Sequence, residues 1–352
     1  TLEGIKTDVN VCRSLTDLQA DLKAKSLKQL FILTESDPAY DVPGFKQVLQ
    51  AAGETTVLTT LATRDTLTSR YSHWTIPAAH YLEAWGDARS SDGTYAIVQP
   101  MIQPLFGGAS VIDVLLALLS EKNLDPSKQG AAEPGTPPPS DPSYEAVKAS
   151  FKLAAGGWDE EKWNVTLRDG FLAKSAAPKV SATVNSGAIA ALVAKAKPAS
   201  APTAEAMEIV ITADSTLWDG RYAENSWLQE APDPITKLTW DNAAWVSPRT
   251  FRETLKLSKD GDVIEVVVGD KTLSLPAIQC PGHAHNSITI PLGYGQTSVN
   301  IVGASNGPVK SGGFDVNALR SSSNDFVLAG AKVKALGKNY EADVEFEKYL
   351  DI

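Results

Sequence analysis

At 352 residues, with 43% hydrophobic and 21% charged side chains, the chain has ordinary globular composition and the length of two or three domains. Its net charge of −10 and the lack of any Lys/Arg-rich run exclude the electrostatic footprint of a nucleic-acid binder. Two cysteines, Cys12 and Cys280, are too few for a disulfide framework or for the four thiolates of an iron–sulfur cluster, and a pairing between them stays open.

No apolar run approaches the roughly 18–20 residues of a bilayer span. The most apolar stretch, Val111 to Leu119, is interrupted by Asp113 and is expected as a buried helix. No signal peptide stands at Thr1, and a start without methionine suggests a processed or excised piece of something longer.

Residues 1–120 read as α/β. Leu15, Leu18 and Leu22, with charges between them, predict a helix leading into Leu30-Phe-Ile-Leu33, a buried parallel strand. Glu35 to Asp41 reads as loop, Phe45 to Ala52 as a helix stopped by a C′ glycine, Gly53, and Val57 to Leu61 as the next strand. That order makes one βαβ unit and part of a doubly wound sheet.

Residues 121–143 form a Pro/Gly/Ser-rich linker that cannot bury a core. Residues 144–204 hold a helical segment with Trp158 and Trp163, then an Ala/Lys/Pro-rich connection ending near Pro202. The region 205–345 changes character. Met207 to Thr212 is a strand, and Ser247-Pro248 is an N-cap with proline at N1 for a short helix through Leu255. Asp260-Gly261 turns into the strand Val263–Val268, and Gly269-Asp270 turns again into Thr272-Leu-Ser-Leu275. Many short strands with few helices predict a small closed barrel, and no internal repeat is evident.

Asn242-Ala-Ala-Trp-Val-Ser-Pro248, Lys259 to Val268, Pro281-Gly282 and Ile290-Pro-Leu-Gly-Tyr-Gly295 together resemble the molybdopterin-dinucleotide-binding domain, a double-psi β-barrel of molybdenum and tungsten oxidoreductases. Ser72 to Pro77, Glu83, Gly86-Asp87, Asp92-Gly93 and Gln99-Pro100 resemble the segment that follows a Rossmann-like strand in the same superfamily. The resemblance implies a partial Rossmann-like α/β domain followed by a double-psi β-barrel. His80 to Arg89, Trp218-Asp-Gly-Arg221, Asn225 to Glu230 and Thr236 to Asn242 are similar to the large iron–sulfur subunit family of alternative complex III. In that family the molybdopterin-type part lacks the cofactor, and the complex oxidises quinol at the periplasmic face of the membrane. The cysteine cluster and metal-ligating residue of catalytic members have no counterpart here, so the chain resembles the rear of the molybdopterin-type region.

This likeness implies no cofactor in the chain itself and iron–sulfur clusters in the rest of its parent. The expected partners are an iron–sulfur domain and membrane subunits of a respiratory complex. A scaffold without a catalytic centre is the leading expectation. Part of a catalytic bis-pterin oxidoreductase that holds molybdopterin is its rival, and a free-standing small-molecule module ranks last. The sequence is equally consistent with the cytoplasm.

Pterin-side positions match Asp219, Arg221 and Asn225, where Arg221 suits bidentate pairing with a phosphate. The bland reading makes them a surface loop closed by local hydrogen bonds. Gly293-Tyr-Gly295 lacks a dinucleotide fingerprint's third glycine and reads as a barrel turn, and Gly303 to Ser311 lacks the P-loop spacing. Cys280, His283 and His285 offer three ligands where zinc takes four, so an exposed loop is expected and no metal. His73, His80, Glu83 and Asp87 gather around an expected interface helix beside Trp74, Tyr81 and Trp85. Trp218, Trp227, Trp240 and Trp245 crowd the start of the barrel, where aromatics fill vacated cofactor space or face a partner.

Overall fold

The computed structural model describes residues 14–120, 141–179, 181, 183–195, 201–296, 312–321 and 326–340. Cys12, residues 121–140 of the linker and the Gly303–Lys310 stretch lie outside the described residues.

Helix α1 (Leu15–Lys23) opens on a capping box: Asp17 N donates to Ser14 Oγ (3.1 Å) and Ser14 N donates to the Asp17 carboxylate (3.2 Å). Then come β1 (Gln29–Leu33), α2 (Pro38–Asp41), α3 (Phe45–Ala52), β2 (Val57–Ala62), α4 (Leu67–Tyr71) and β3 (Trp74–Pro77). The one turn of α2 lies inside the stretch expected as loop. Proline at its first position has no N–H to leave unpaired, so helix costs little there. The three strands run parallel in the order β1-β2-β3, with Leu30 opposite Leu58 and Leu61 opposite Ile76. Leu22, Ile32, Phe45, Leu49 and Leu58 form the core between helices and sheet. Gly53 ends α3 at φ −57 rather than left-handed, because the N–H groups of Thr55 and Thr56 both return to Ala52 O and keep the chain turning.

The hairpin of β4 (Gly86–Arg89) and β5 (Tyr95–Val98) is antiparallel. After it, α5 (Val111–Leu119) buries Val114 alone and exposes Leu115, Leu118 and Leu119, so the helix expected as buried is covered on one side only. The hairpin's cover comes from beyond the linker, from α6 (Pro142–Ala154) and α7 (Glu160–Asp169). Tyr95, Ile97, Val147, Phe151 and Trp163 share one core, with the Phe151 and Trp163 rings 5.0 Å apart. This core therefore crosses the expected boundary at 121–143. Ser143 N donates to Asp141 Oδ1 (2.9 Å), so α6 begins within the last residues of that span. Helix α8 (Ser186–Lys195) buries none of its side chains against the described residues.

Six strands close the barrel: β6 (Met207–Thr212), β7 (Ala244–Val246), β8 (Asp262–Val268), β9 (Lys271–Gln279), β10 (Ser287–Pro291) and β11 (Val327–Asn339). The ring order is β10-β6-β11-β8-β9-β7. Pairs β10/β6 and β7/β9 are parallel, and the rest are antiparallel. Exchanging β6, β7 and β8 with β9, β10 and β11 maps this ring onto itself, parallel pair onto parallel pair. The exchange also matches the helical turn Thr250–Thr254, between β7 and β8, with the 3-10 turn Val316–Leu319, between β10 and β11. Closure leaves no edge strand to pair elsewhere.

Alternation fills the barrel. Met207, Ile209 and Ile211 point inward from β6, meeting Val246, Phe251, Ile264, Val266, Leu275, Ile288 and Leu328. Ser247 caps the turn as expected, its Oγ accepting from Thr250 N (3.2 Å). That turn drives Phe251 into the barrel core with no exposure at all. Replacing Phe251 with alanine is expected to cost about 3–5 kcal/mol, read as a lower denaturant midpoint with an unchanged slope.

Candidate functional site

The long connection from β6 to β7 carries all three sequence-predicted residues, and an aspartate organises its start. Asp214, 6% exposed, accepts from Thr216 N (2.9 Å), Thr216 Oγ1 (2.8 Å) and Leu217 N (2.8 Å). The chain then passes through Trp218 at φ 60 and Gly220 at φ 101. Arg221 grips Asp219 in a fork, Nε to Oδ1 at 3.0 Å and Nη2 to Oδ2 at 2.8 Å. Burial pushes the Asp219 carboxyl up, but that fork outweighs it and holds the group below its ordinary range. Asn225 caps α9 (Ser226–Glu230), its Oδ1 accepting from Leu228 N (3.2 Å). The three residues are thus neighbours on one loop, each bonded within it.

The loop meets the α/β unit across a joint that sequence reasoning did not find. Tyr40 of α2, 6% exposed, donates its hydroxyl to Tyr294 O at 2.7 Å. Gln296 Nε2 donates to Gly220 O (2.8 Å), and Arg320 Nη1 donates to Asp41 O (2.9 Å). Arg64 and Glu224 approach to 3.7 Å at its edge. Any Cβ at Gly220 would collide with the Gln296 amide and the Tyr40 ring, so only glycine permits this approach. Asn242 ties the floor together, donating to Pro291 O (2.9 Å) and Phe314 O (3.1 Å) and accepting from Phe314 N (2.8 Å).

Charge at the joint is mostly negative. Burial, then the Asp219 carboxylate, pushes Asp41 up to about 7, against the pull of the Asp37 N–H and of Arg221. Burial also raises Asp315 to about 6 and Asp241 to about 7. The space left among Tyr40, Lys46, Leu67, Gln296 and Asp315 is about 70 Å³.

A second concavity, about 410 Å³, lies beyond the carboxyl ends of β1 and β2, where open α/β sheets usually take ligands. Thr34, Glu35, Thr63, Trp85, Asp87 and Ser110 are among its walls, and no Lys or Arg is.

The other candidates resolve into structural contacts. His80 and Glu83 sit in a turn rather than on a helix: His80 N donates to Glu83 Oε2 (3.1 Å) and Glu83 N to His80 O (2.8 Å). His73 Nδ1 accepts from Leu58 N (3.0 Å), and Asp87 accepts the Tyr95 hydroxyl (2.8 Å). His283 Nε2 is 2.9 Å from Thr289 Oγ1, and His285 Nδ1 is 3.0 Å from Ser247 Oγ. Among the described residues no three His, Cys, Asp or Glu side chains are grouped to hold a metal. Gly293 and Gly295, at φ 104 and 72, form the expected turn, packed against Leu217 and the backbone of Asp315. None of the four tryptophans is among the residues around the joint's small cavity: Trp218 and Trp227 are 55% and 81% exposed, and Trp240 and Trp245 are half-buried.

The parallel α/β sheet and the closed six-stranded barrel together form a fold that a solved structure shares. The chain is similar in structure to acetylene hydratase from Pelobacter acetylenicus, with a TM-score of 0.54 at 13% sequence identity. The match covers 90% of this chain and 46% of that one, so the chain spans about half the neighbour's length. No family model matches the sequence, and no curated protein matches it.

The joint has a pH signature. Asp41 binds its proton more tightly in the folded chain, at about 7, than an unfolded aspartate does at about 3.9. Its contribution is therefore fully present below about pH 4 and lost as pH rises through about 7. Asp41→Asn keeps an acceptor for the Asp37 N–H and removes the titration. Thermal melts should show the variant more stable than the parent at pH 8, with the gap closing toward pH 5. A gap independent of pH would refute this account of the joint.

Proposed function

We propose that the chain is a cofactor-free scaffold of molybdopterin-oxidoreductase type, part of a membrane-bound, quinol-oxidising respiratory complex. The observation that carries this reading is the closed joint. Its cavity of about 70 Å³ is far below the roughly 300–1,000 Å³ of a cofactor site. Asp41, Asp219 and Asp315 put carboxylates where a dinucleotide would bring phosphates. Arg221 is bonded to Asp219 and Asn225 to the first turn of α9, so neither donor set is open. These residues do not fit a pterin dinucleotide between the two units.

The barrel is taken as double-psi, and the exchange of its two three-strand halves, with one parallel crossing in each, supports that assignment. The scaffold's role is to hold an iron–sulfur domain and membrane subunits in place, keeping clusters within tunnelling distance and water away from them. Apolar surface without cover supports docked partners: Met101, Phe106 and Leu119 on one side, Trp227 on another, and all of α8. The proposed place is the periplasmic face of the membrane. Among the described residues no helix is long and apolar enough to cross it.

One observation favours the rival reading, a fragment of a catalytic molybdenum or tungsten bis-pterin oxidoreductase. The crevice beyond β1 and β2 has the volume of a ligand site, at about 410 Å³. Its carboxylates and lack of cations suit a neutral or cationic group better than a phosphate.

The two readings separate on the full-length parent purified with its membrane partners. Iron and labile sulfide without molybdenum, tungsten or oxidised-pterin fluorescence is the expected result. Near-stoichiometric metal together with pterin would overturn the scaffold reading.

A further inference from the structure

A cleft of about 660 Å³ lies on the flank, where α1 and α3 face the barrel. Its floor is apolar, with Leu22, Val42, Pro43, Val48 and Ala51 among the walls. Its charge is unlike the rest of the molecule. The chain as a whole has 32 Lys and Arg against 42 Asp and Glu. Among the described residues this cleft is lined by Lys23, Lys25, Lys46 and Lys271 against Asp315 alone. The lysines come from the end of α1, the turn after it, the first turn of α3 and the start of β9, so no single amphipathic element explains their convergence. Lys271 is oriented by donating its ammonium to Arg320 O. Among the described residues no carboxylate lies within ion-pair distance of Lys23, Lys25 or Lys46.

Backbone donors point the same way. α3 begins at Gly44, which has no side chain to cap with, at φ 75. Phe45 N bonds to Val42 O, and the first-turn residues Lys46 and Gln47 both line the cleft. Lysines over an uncapped helix start suit a phosphoryl group, whose charge the helix dipole also favours. The apolar floor suits a hydrophobic body attached to it. Asp315 sits on the barrel wall, and its proton affinity is raised by burial, which softens the repulsion it would exert.

We propose that this flank cleft binds a phosphorylated small molecule with an apolar or aromatic body, with Lys23, Lys46 and the first turn of α3 holding the phosphoryl group. The cleft borders the joint, with Ala39, Tyr40, Lys46 and Asp315 in the walls of both, and its occupancy does not depend on whether the parent carries a pterin.

The test is calorimetry on the 352-residue chain with 1-naphthyl phosphate, with 1-naphthol and inorganic phosphate as separate arms. One equivalent of 1-naphthyl phosphate should bind, with each half-molecule weaker by on the order of tenfold or more. Two variants act by different routes. Lys23→Gln with Lys46→Gln removes charge, and Ala51→Trp fills the floor. Both should weaken binding by roughly tenfold, while Lys334→Gln, on the barrel's outer surface, should not change it. Raising salt from 0.05 to about 0.5 M should weaken the phosphate ester and spare naphthol. Melting curves report whether each variant is folded, and Lys23 is exposed on α1, so its change alone is tolerated. Absence of saturable binding, equal affinity for naphthol, or affinity unmoved by both variants would each overturn the proposal.

Discussion

A phenol buried on all sides must give its proton to something, and Tyr40 gives it to the carbonyl of Tyr294 on the far side of the joint. Around that bond the other contacts become obligatory. The Tyr40 ring and the Gln296 amide leave no room for a side chain at Gly220. A Cβ on Gly293 would press on Leu217 and the backbone of Gly220, and Gly295 lies against the backbone of Asp315. α2 is itself anchored, because Asp37 at its start accepts from Leu67 N (2.8 Å) and Thr68 N (2.9 Å) and so caps α4. The strand ends of the sheet, one turn of helix and two barrel loops are therefore fixed by a single seam.

The barrel can accept such a seam because its own order needs nothing from outside. A closed ring pairs its strands on both sides, and side chains alternating along β6 and β8 point into it. The parallel pair β10/β6 and its counterpart β7/β9 bring distant segments together, and the two halves exchange without altering the pairing. That symmetry lives in the backbone. The six strands carry unrelated side chains, so no repeat is visible in the sequence, although the ring has one.

What was legible in the sequence follows from this. Elements defined by near neighbours were readable: the alternation of Met207 to Thr212, the hairpin at Gly269-Asp270, the Ser247 cap and the βαβ order of the first sheet. Elements decided by what packs on them were not. His80 and Glu83 have helical spacing but close a turn, because each bonds the other's backbone. The apolar run of α5 gave its length but not its half-exposure, which depends on α6 across the linker. The candidate loop of Asp219, Arg221 and Asn225 was located by resemblance, whereas the joint beside it was invisible. Its partners, Tyr40 and Tyr294, are 254 residues apart, and neither belongs to a motif.

The distribution of charge is the last constraint, and it separates two surfaces that both join sheet to barrel. At the joint, burial makes the carboxyl groups of Asp41 and Asp315 reluctant to ionise, a cost the fold accepts because neighbouring donors and Arg320 offset part of it. Here Arg221, the cation nearest that position in sequence, is turned onto Asp219. The lysines gather instead along the flank of α1 and α3, over an apolar floor and a helix start with no cap of its own.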